Sequence, residues 1–440
     1  MQAMTGDAMG QGTIHRLSSR KPLFSKSPAA TALVAKQPIF DLRGHIWGYE
    51  LLFRDPSLKP GLADRSSEAA TSTVMIDGFS LLRPLLRDKQ RFLINFTADF
   101  LEAELPAVLP PDICTIEILE TVDPTESVLQ GLANLKKQGY MLALDDYVGQ
   151  EELAPFLPLV DIIKVEVLGQ SSIHIANLCK KLKKRYKTVL LAEKVEDRET
   201  ASFCRSQGFS LFQGFFFSKA EIISGATLNP SQVTKTRLLA LTADPNMQLK
   251  QINAAISSDV FLTYRLMKFI NSVYFGLPMK IRTIEHATAL LGLRKVRQWL
   301  LVTALAGLDS SPMSQEIVYI SAYRAKYLEL LSLRRNPKEN RELASKLFIT
   351  GLFSLLEGLM RVPPEEIFTA ISLDPEVYEV LGQGTGPLAP WYQLMGAYEQ
   401  GHWPEVHELA DKLSLQDWEL SNAYVEAGKW SSAVFQSPDS

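Results

Sequence analysis

The sequence predicts an α/β barrel followed by an all-helical half. Between residues 32 and 217, apolar runs of strand length alternate with helical stretches, which is typical of βαβ units that build a parallel sheet. Beyond residue 229 these strand signals stop, and apolar residues recur at the spacing of helices. The chain has 440 residues, which is enough for two domains that each bury a core.

The barrel is expected to open with an antiparallel pair of strands. Two strand-like stretches, at residues 33–40 and 45–53, flank a turn sequence that ends in Gly44. A glycine turn between two such stretches is typical of a hairpin. The first strand pair should therefore depart from the eightfold parallel pattern of the common (β/α) barrel.

The remaining strands are predicted from short apolar runs that polar residues bound on both sides, as in fully buried parallel strands. Helical stretches separate these runs, and the number of repeats suits a closed barrel. The predicted helices cover residues 68–86, 125–138, 171–184 and 197–207.

The second half is predicted to be a helical bundle. Leu249, Ile252 and Ile256 have helical spacing, and similar patterns recur further along the chain. Several of these segments are apolar on nearly every side, which indicates helices buried within a bundle. Loops between later helices are predicted at residues 363–364 and 382–387, which are rich in proline and glycine.

Composition bounds the class of protein. The net charge of -3 gives no argument for binding to nucleic acid or to a membrane surface, and no apolar run reaches membrane-spanning length. Three widely separated cysteines are typical of reduced thiols in the cytosol. We therefore expect a cytoplasmic protein with a mobile tail at residues 1–30, a barrel domain at 31–228, and a helical domain with a C-terminal helical extension at 229–440.

Polar residues close most of the apolar runs of the predicted barrel. These residues are Glu50, Asn95, Glu117, Asp145, Asp146, Lys164, Glu193 and Gln213. Side chains at the carboxyl ends of barrel strands converge on one mouth. Any single glutamate is explained by solvation of the surface, but acids at this many strand ends favour a site.

The converging side chains suit two hard divalent cations and a phosphate. Magnesium and manganese prefer oxygen ligands, and two ions roughly 3.5–4 Å apart can activate water and stabilise both oxygens of a phosphodiester displacement. Because neighbouring strand residues point to opposite faces, Asp146 must lie just past the strand end to share a site with Asp145. Lys164 is suited to holding a phosphate or the attacking water, and Arg54 to clamping a pair of phosphate oxygens.

The ordered set of motifs resembles the EAL family, the phosphodiesterases that linearise cyclic di-GMP in bacteria. The matching segments are Gln37-Pro38-Ile39-Phe40, Glu50-Leu51-Leu52 in place of the name-giving Glu-Ala-Leu, Glu117-Ile118-Leu119-Glu120, Asp145-Asp146, Ala192-Glu193 and Gln213-Gly214-Phe215. With Asn95 and Lys164 they span roughly residues 32–221, and the ordered set is far more specific than any single motif. The resemblance implies an EAL-type barrel that uses two Mg²⁺ or Mn²⁺ ions to hydrolyse cyclic di-GMP to the linear dinucleotide.

The resemblance also implies a role for each residue. The implied metal ligands are Glu50, Asn95, Glu117, Asp145, Asp146 and Glu193. Lys164, Glu193, Gln213 and Glu120 are the implied catalytic residues, with Lys164 and Gln213 positioning water. Glu120, the second acid of the Glu-x-x-Glu motif, is implied to brace a catalytic loop, and Arg54 is implied to contact the substrate phosphate.

Three departures from the family pattern concern supporting residues. Where the family has a Phe-Gly-Thr-Gly loop after the aspartate pair, residues 147–152 keep one glycine, Gly149. Lys194 replaces a glycine and brings a cation near the metals, while Glu166 replaces an aspartate. Because such losses harm geometry before affinity, we expect a barrel that binds cyclic di-GMP and hydrolyses it slowly or not at all. A fully active phosphodiesterase and a scaffold that binds no nucleotide remain as alternatives.

The second half resembles the HDOD domain, a helical output module related to HD-type metal hydrolases. The strongest match covers residues 269–278, and further matches lie around His286 and over 290–297. None of the six histidines precedes an aspartate, so HD-type metal chemistry is not expected, and His286 is interpreted as a packing residue. An EAL domain followed by an HDOD domain is a known bacterial arrangement. It implies signalling through a protein partner at the helical half, and it is compatible with a homodimer.

Basic residues cluster at positions 180–185 and 294–297. The first cluster lies on a predicted barrel helix, where a solvated outer face explains it. Neither cluster interleaves with aromatic residues in the way that suits single-stranded nucleic acid. We therefore expect no binding to nucleic-acid polymers.

Overall fold

The computed structural model of the protein describes residues 33–54, 79, 82–83, 86, 89–214, 248–257, 259–309, 311–334, 339–360, 368 and 373–435. The predicted tail at residues 1–30, most of the predicted helix at 68–86, and the predicted start of the helical domain at residue 229 lie outside the described residues. The loop predicted at residues 363–364 also lies outside them.

Eight strands form a closed barrel in which each strand is bonded to its neighbours in chain order. The strands are β1 (Leu33–Asp41), β2 (Ile46–Arg54), β3 (Arg91–Phe96), β4 (Cys114–Ile118), β5 (Met141–Leu144), β6 (Ile162–Glu166), β7 (Val189–Glu193) and β8 (Leu211–Phe212). Pairs from β2 through β8 are parallel. The predicted barrel is therefore confirmed.

The first strand runs against both of its neighbours. β1 pairs antiparallel with β2 and also with β8, which closes the barrel. The β1–β2 turn is held by the Asp41 carboxylate, which accepts hydrogen bonds from the backbone N–H groups of Arg43 at 2.8 Å and His45 at 2.9 Å. Gly44 has a φ of +78°, a left-handed conformation that glycine adopts without strain. The predicted antiparallel opening is confirmed.

Helices of the barrel half lie between the parallel strands. They are α1 (Ala98–Glu102), α2 (Glu126–Lys137), α3 (Ser172–Arg185) and α4 (Arg198–Gln207), with 3₁₀ turns at Leu105–Val108 and Ala154–Phe156. The last three begin at residues whose side chains accept a backbone N–H, namely Thr125, Ser171 and Asp197. Such caps satisfy donors that the first turn leaves without partners, and they explain why the predicted helices begin where they do.

The described residues after 247 form only helices and turns, as predicted. The helices are α5 (Leu249–Ser257), α6 (Val260–Ile270), α7 (Ile284–Leu291), α8 (Leu293–Ala306), α9 (Pro312–Ser332), α10 (Arg341–Phe353), α11 (Leu356–Met360), α12 (Pro375–Gln383), α13 (Ala389–Gln400), α14 (Trp403–Leu413) and α15 (Asp417–Phe435), with a 3₁₀ turn at Val273–Phe275. One apolar core of this half gathers around Trp299, Phe348 and Trp430. No helix within the described ranges combines the length and apolarity that crossing a bilayer requires.

The helical half packs against the barrel at β1. The backbone N–H of Lys36 donates to the hydroxyl of Tyr424 in α15 at 3.1 Å. The Lys36 ammonium lies 4.2 Å from the ring centre of Tyr49 and 5.4 and 5.5 Å from those of Tyr319 and Tyr323 in α9. Residues of β1, α9, α13 and α15 belong to one buried apolar cluster. The helical half therefore lies directly beside the barrel mouth.

Candidate active site at the barrel mouth

The barrel brings most of the predicted site residues together around Lys164. The Lys164 ammonium, in the middle of β6, lies 3.3 Å from a carboxylate oxygen of Glu50 and 2.8 Å from one of Asp145. It also lies 2.8 Å from Glu193 and donates to Glu117. Glu117, Asp145 and Glu193 lie at or directly beyond the carboxyl ends of β4, β5 and β7, as the strand-end pattern predicts. Glu50 instead lies in the middle of β2, which continues to Arg54. A single cation therefore holds four carboxylates.

The cluster has more negative than positive charge, and its titration reflects this. Burial alone lowers the pKa of Lys164, but the surrounding carboxylates outweigh it and raise that pKa well above its ordinary value. Burial raises the pKa of Glu117 and of Glu193 well above the usual range of a glutamate, although Lys164 opposes the shift. Carboxyl groups with raised pKa values hold protons strongly, and a divalent cation competes for the same oxygens.

Several buried oxygens of the cluster have no hydrogen-bond partner in the part of the chain that the structure describes. These are Oδ1 of Asn95, Oε2 of Glu117, Oε2 of Glu193 and Oε1 of Gln213. Buried polar atoms without partners are rare in proteins, and each calls for an explanation. Amide and carboxylate oxygens are the ligands that hard divalent cations prefer. The donor set thus fits a metal ion.

A second group of acids lies beside the first. Carboxylate oxygens of Glu120, Asp145 and Asp146 lie within 4.8 Å of one another. Asp146 follows the end of β5 with a φ of +41°, so it turns past the strand as expected. Burial, followed by the charge of Asp145, raises its pKa. Asp145 is shared with the Lys164 cluster, so the mouth holds two adjacent sets of oxygen ligands.

The resemblance implies that Glu120 braces a catalytic loop, and the structure places its carboxylate with the aspartate pair. The spacing of the motif indicates this placement of Glu120. A residue two positions beyond the end of β4 has left the sheet, so its side chain can reach the barrel mouth. Arg54 ends β2, and its backbone pairs with that of Leu33. The Arg54 side chain and Phe215 lie outside what the structure describes.

Gln213 connects the carboxylates to β1. Its amide nitrogen donates to Glu50 at 2.7 Å and to the side-chain oxygen of Gln37 at 2.7 Å. Gln37 is a residue of the candidate site that the motif comparison did not assign. The predicted hairpin indicates that Gln37 lies near the site, because Gln37 is the direct partner of Glu50 in the antiparallel register of β1 and β2.

Lys194 and Glu166, two of the residues that depart from the family pattern, form an ion pair with each other. The Lys194 ammonium lies 2.6 Å from a carboxylate oxygen of Glu166. Lys194 lines the same cavity as the acids, so the expected cation near the site is present. Its φ of +52° is the left-handed conformation that a glycine tolerates best.

The loop after the aspartate pair is braced by a side chain. The Gln150 oxygen accepts from the backbone N–H of Val148 at 2.8 Å, and its amide nitrogen donates to the backbone carbonyl of Asp146 at 3.0 Å. Where the family loop has a second glycine, this chain therefore has a residue that fixes the path of the loop and holds Asp146.

Replacing Gln150 with glycine should weaken this loop. The loss of two hydrogen bonds and the added freedom of the unfolded chain together lower the free energy of unfolding by about 2 kcal/mol. Urea unfolding measures this change. Glu151→Gly is the matched control, because exposed Glu151 adds the same backbone freedom without a side-chain hydrogen bond in the described structure. Equal losses in the two variants would show that Gln150 does not brace the loop.

A cavity of about 520 Å³ extends from the acids to the helical half. Its barrel wall includes Glu50, Asp145 and Lys164, and its helical wall includes Arg324 and Glu399. This volume lies within the usual range for small-molecule sites. The opening of the candidate site is thus bounded by both halves of the chain.

The helical half shows no comparable ligand set. Within the described residues, the group of acids at the barrel mouth is the only cluster of three or more metal-type ligands. His286 lies exposed in the first turn of α7, where its backbone N–H donates to Thr283. The interpretation of His286 as a packing residue is therefore wrong, because the helix turns it toward solvent.

Comparison with known proteins finds one match confined to the helical half and two that cover nearly the whole chain. Residues 228–335 match the family model of the HDOD domain. The chain is 30% identical over 406 residues to a Vibrio cholerae protein named cyclic di-GMP phosphodiesterase CdgJ, covering 92% of this chain and 93% of that protein. It is 31% identical over 409 residues to the uncharacterized protein YuxH of Bacillus subtilis, covering 90% and 97%.

Among solved structures, the Bacillus subtilis protein YkuI, which has an EAL domain and was solved with cyclic di-GMP and calcium, matches 42% of this chain and 54% of its own. The identity is 21% and the TM-score 0.37.

Proposed function

Because the chain belongs to the EAL–HDOD family of cyclic di-GMP phosphodiesterases, we propose that its barrel binds cyclic di-GMP at the mouth and hydrolyses it slowly or not at all. The observation that carries this proposal is the set of four carboxylates around Lys164, with buried oxygens that lack hydrogen-bond partners among the described residues. The name of the Vibrio cholerae relative supports the choice of ligand.

The residues at the mouth fit two divalent cations, for which we propose Mg²⁺ or Mn²⁺. Such ions supply water activation and stabilisation of charge on a phosphodiester when bound. The proposed ligands of the first position are Glu50, Asn95, Glu117, Asp145 and Glu193. Asp146 joins Asp145 at the second position, where Glu120 is also within reach.

The chain's own residues have distinct roles in this proposal. Lys164 offsets part of the negative charge of the four carboxylates, and its ammonium becomes available to a phosphate oxygen or a water molecule once those acids take another cation. Glu193, whose carboxylate lies 2.8 Å from the Lys164 ammonium, is proposed to serve both as a metal ligand and as a catalytic residue. Gln213 orients Glu50 through its amide hydrogen bond, and Arg54 is proposed to contact the phosphate.

Two local features support slow hydrolysis. Gln150 fixes the loop that carries Asp146, and the Lys194–Glu166 pair adds a cation beside the second set of ligands. The first fixes the backbone of Asp146, and the second adds a positive charge that acts on the Asp146 carboxylate. Both therefore alter a ligand set whose geometry catalysis needs held within about 0.5 Å. Full activity remains the second candidate, and the oxygen ligand at each of the six proposed positions favours it.

The helical half is proposed to be the output module that contacts a protein partner. The HDOD match at residues 228–335 supports the proposed boundary between a barrel domain at 31–228 and a helical domain at 229–440. The absence of a second cluster of metal-type ligands within the described residues supports signalling over HD-type hydrolysis.

Chromatography of cyclic di-GMP incubated with the protein and Mg²⁺ or Mn²⁺ tests the proposal. We expect linear dinucleotide to form slowly or not at all with the unmodified protein, and not with Glu50→Ala, which removes a carboxylate from the centre of the site. Glu199→Ala is the control, because Glu199 is exposed on α4. Calorimetric titration with cyclic di-GMP in the same buffers separates binding from turnover.

The outcomes divide the candidate functions. Tight binding with little product supports the proposed barrel that binds cyclic di-GMP and hydrolyses it slowly or not at all. Rapid product formation that Glu50→Ala abolishes establishes the fully active enzyme. Product that survives Glu50→Ala contradicts the assigned site. Neither binding nor product leaves a protein-interaction scaffold.

A further inference from the structure

A line of hydrogen bonds connects the acids to the helical half. Gln213 donates to Glu50 at 2.7 Å and, through the same amide nitrogen, to the side-chain oxygen of Gln37 at 2.7 Å. The amide nitrogen of Gln37 then donates to the backbone carbonyl of Glu399, in the last turn of α13, at 3.2 Å. We call Glu50, Gln213, Gln37 and Glu399 the relay.

The direction of each bond in the relay is chemically determined. A carboxylate and a backbone carbonyl only accept, so both glutamines must present an amide nitrogen to them. The remaining bond then runs from the nitrogen of Gln213 to the oxygen of Gln37. Reversing either amide would place two oxygens against each other, so the relay has one consistent orientation.

The far end of the relay is attached firmly to the helical half. The last four carbonyls of a helix have no partner within it, and Gln37 supplies a donor to one of them. The Glu399 carboxylate accepts three bonds from the Arg324 guanidinium, at 2.9 and 3.1 Å from Nε and at 2.6 Å from a terminal nitrogen. Arg324 also donates to Ser354 at 3.1 Å, which follows α10. Movement of Glu399 therefore involves α9, α10 and α13 together.

The relay also lies where the two halves approach closely. Gly401, directly after α13, has so little space that an added Cβ atom would lie 2.7 Å from the side chain of Leu52 in β2. Lys36, which precedes Gln37 in β1, donates its backbone N–H to the hydroxyl of Tyr424 in α15. Glu50, Gln213, Gln37 and Glu399 all line the cavity of about 520 Å³, so the relay is a hydrogen-bonded path along the cavity wall from the acids to α13.

We propose that Gln37 is a positioning residue that couples cation binding at Glu50 to the carboxyl end of α13 in the helical half. The inference rests on the proposed function, since it assumes a divalent cation at the acids. A cation withdraws electron density from the Glu50 oxygen that accepts from Gln213, which changes the strength of that bond and, through Gln37, the hold on Glu399. The helical half thereby detects whether the barrel site is occupied.

The experiment combines Mn²⁺ titration by calorimetry with hydrogen–deuterium exchange of α13 in the full-length protein. Gln37→Met keeps the length of the side chain and removes both hydrogen bonds. Gln213→Met breaks the relay inside the barrel and leaves the contact with the helical half intact. Gln130→Met is the matched control, because exposed Gln130 also donates a side-chain bond, to Asn134 at 3.0 Å, far from the relay in sequence.

We expect saturating Mn²⁺ to slow exchange in α13 of the unmodified protein by at least about twofold. Both relay variants should lose this response, and Gln37→Met should bind Mn²⁺ about tenfold more weakly, as is typical when a residue that supports a metal ligand is removed. The control should keep both properties. A folded Gln37→Met or Gln213→Met variant with the full response of α13 would overturn the inference.

The inference also falls if the unmodified protein binds no Mn²⁺ or shows no response in α13. Its failure is distinct from failure of the proposed function. A response of α13 to Mn²⁺ in a protein that does not bind cyclic di-GMP supports the relay and removes the proposed ligand. Binding of cyclic di-GMP without any response of α13 supports the proposed ligand and contradicts the relay.

Discussion

Replacing Lys164 with methionine should lower the free energy of unfolding by about 3–5 kcal/mol in metal-free buffer, the loss that follows removal of one partner of a buried ion pair. The Lys164 side chain is 1% exposed and contacts four carboxylates. Methionine fills much of the same space, so the effect isolates the charge. The variant leaves four acids around a site without a cation, and their mutual repulsion is no longer compensated.

A divalent cation should restore more stability to Lys164→Met than to the unmodified protein. Any ligand that binds only the folded state stabilises it, and the variant offers Mg²⁺ or Mn²⁺ the oxygens that Lys164 otherwise holds. Urea unfolding with and without each ion measures both effects. Lys136→Met is the control, since Lys136 forms a partly exposed pair with Asp161 at 3.0 Å, for which a loss of no more than about 1 kcal/mol is expected. If Lys164→Met is as stable as the unmodified protein without metal, Lys164 does not neutralise the cluster.

Replacing Arg324 with methionine should lower the free energy of unfolding by about 3 kcal/mol, near the lower end of the range for broken buried pairs. The Arg324 side chain is 7% exposed, and it donates to both carboxylate oxygens of Glu399 and to Ser354. The lower end applies because the Glu399 side chain is 22% exposed, so water partly compensates the remaining carboxylate.

Arg324→Lys should recover only part of this loss, because an ammonium cannot reproduce two parallel bonds from a planar guanidinium. The control is Lys429→Met, which removes a pair with Glu426 between side chains that are 50% and 31% exposed. Urea unfolding monitored by hydrogen exchange in α9 and α13 measures the change where the pair lies. A variant with the stability of the unmodified protein would refute the claim that this pair holds α13 against α9.

Elements that depend on local pattern were predicted correctly. The antiparallel opening follows from the glycine turn at Gly44, and three barrel helices begin at Thr125, Ser171 and Asp197, whose caps are readable in the sequence. These features are decided within a few residues, by backbone conformation and by hydrogen bonds to the first turn. His286 shows the limit of the same approach, since the side of a helix that faces solvent depends on what packs against it.

The sequence by itself determined the class of each half and the residue types at the barrel mouth, because strand length, helical spacing and the position of a strand end are local properties. Only the tertiary structure decided that Lys164 contacts four acids, that Lys194 pairs with Glu166, and that Gln37 reaches Glu399. The last contact joins residues 362 positions apart. Contacts at such separations depend on barrel closure and on how the helical half packs against β1, which no local pattern of residues specifies.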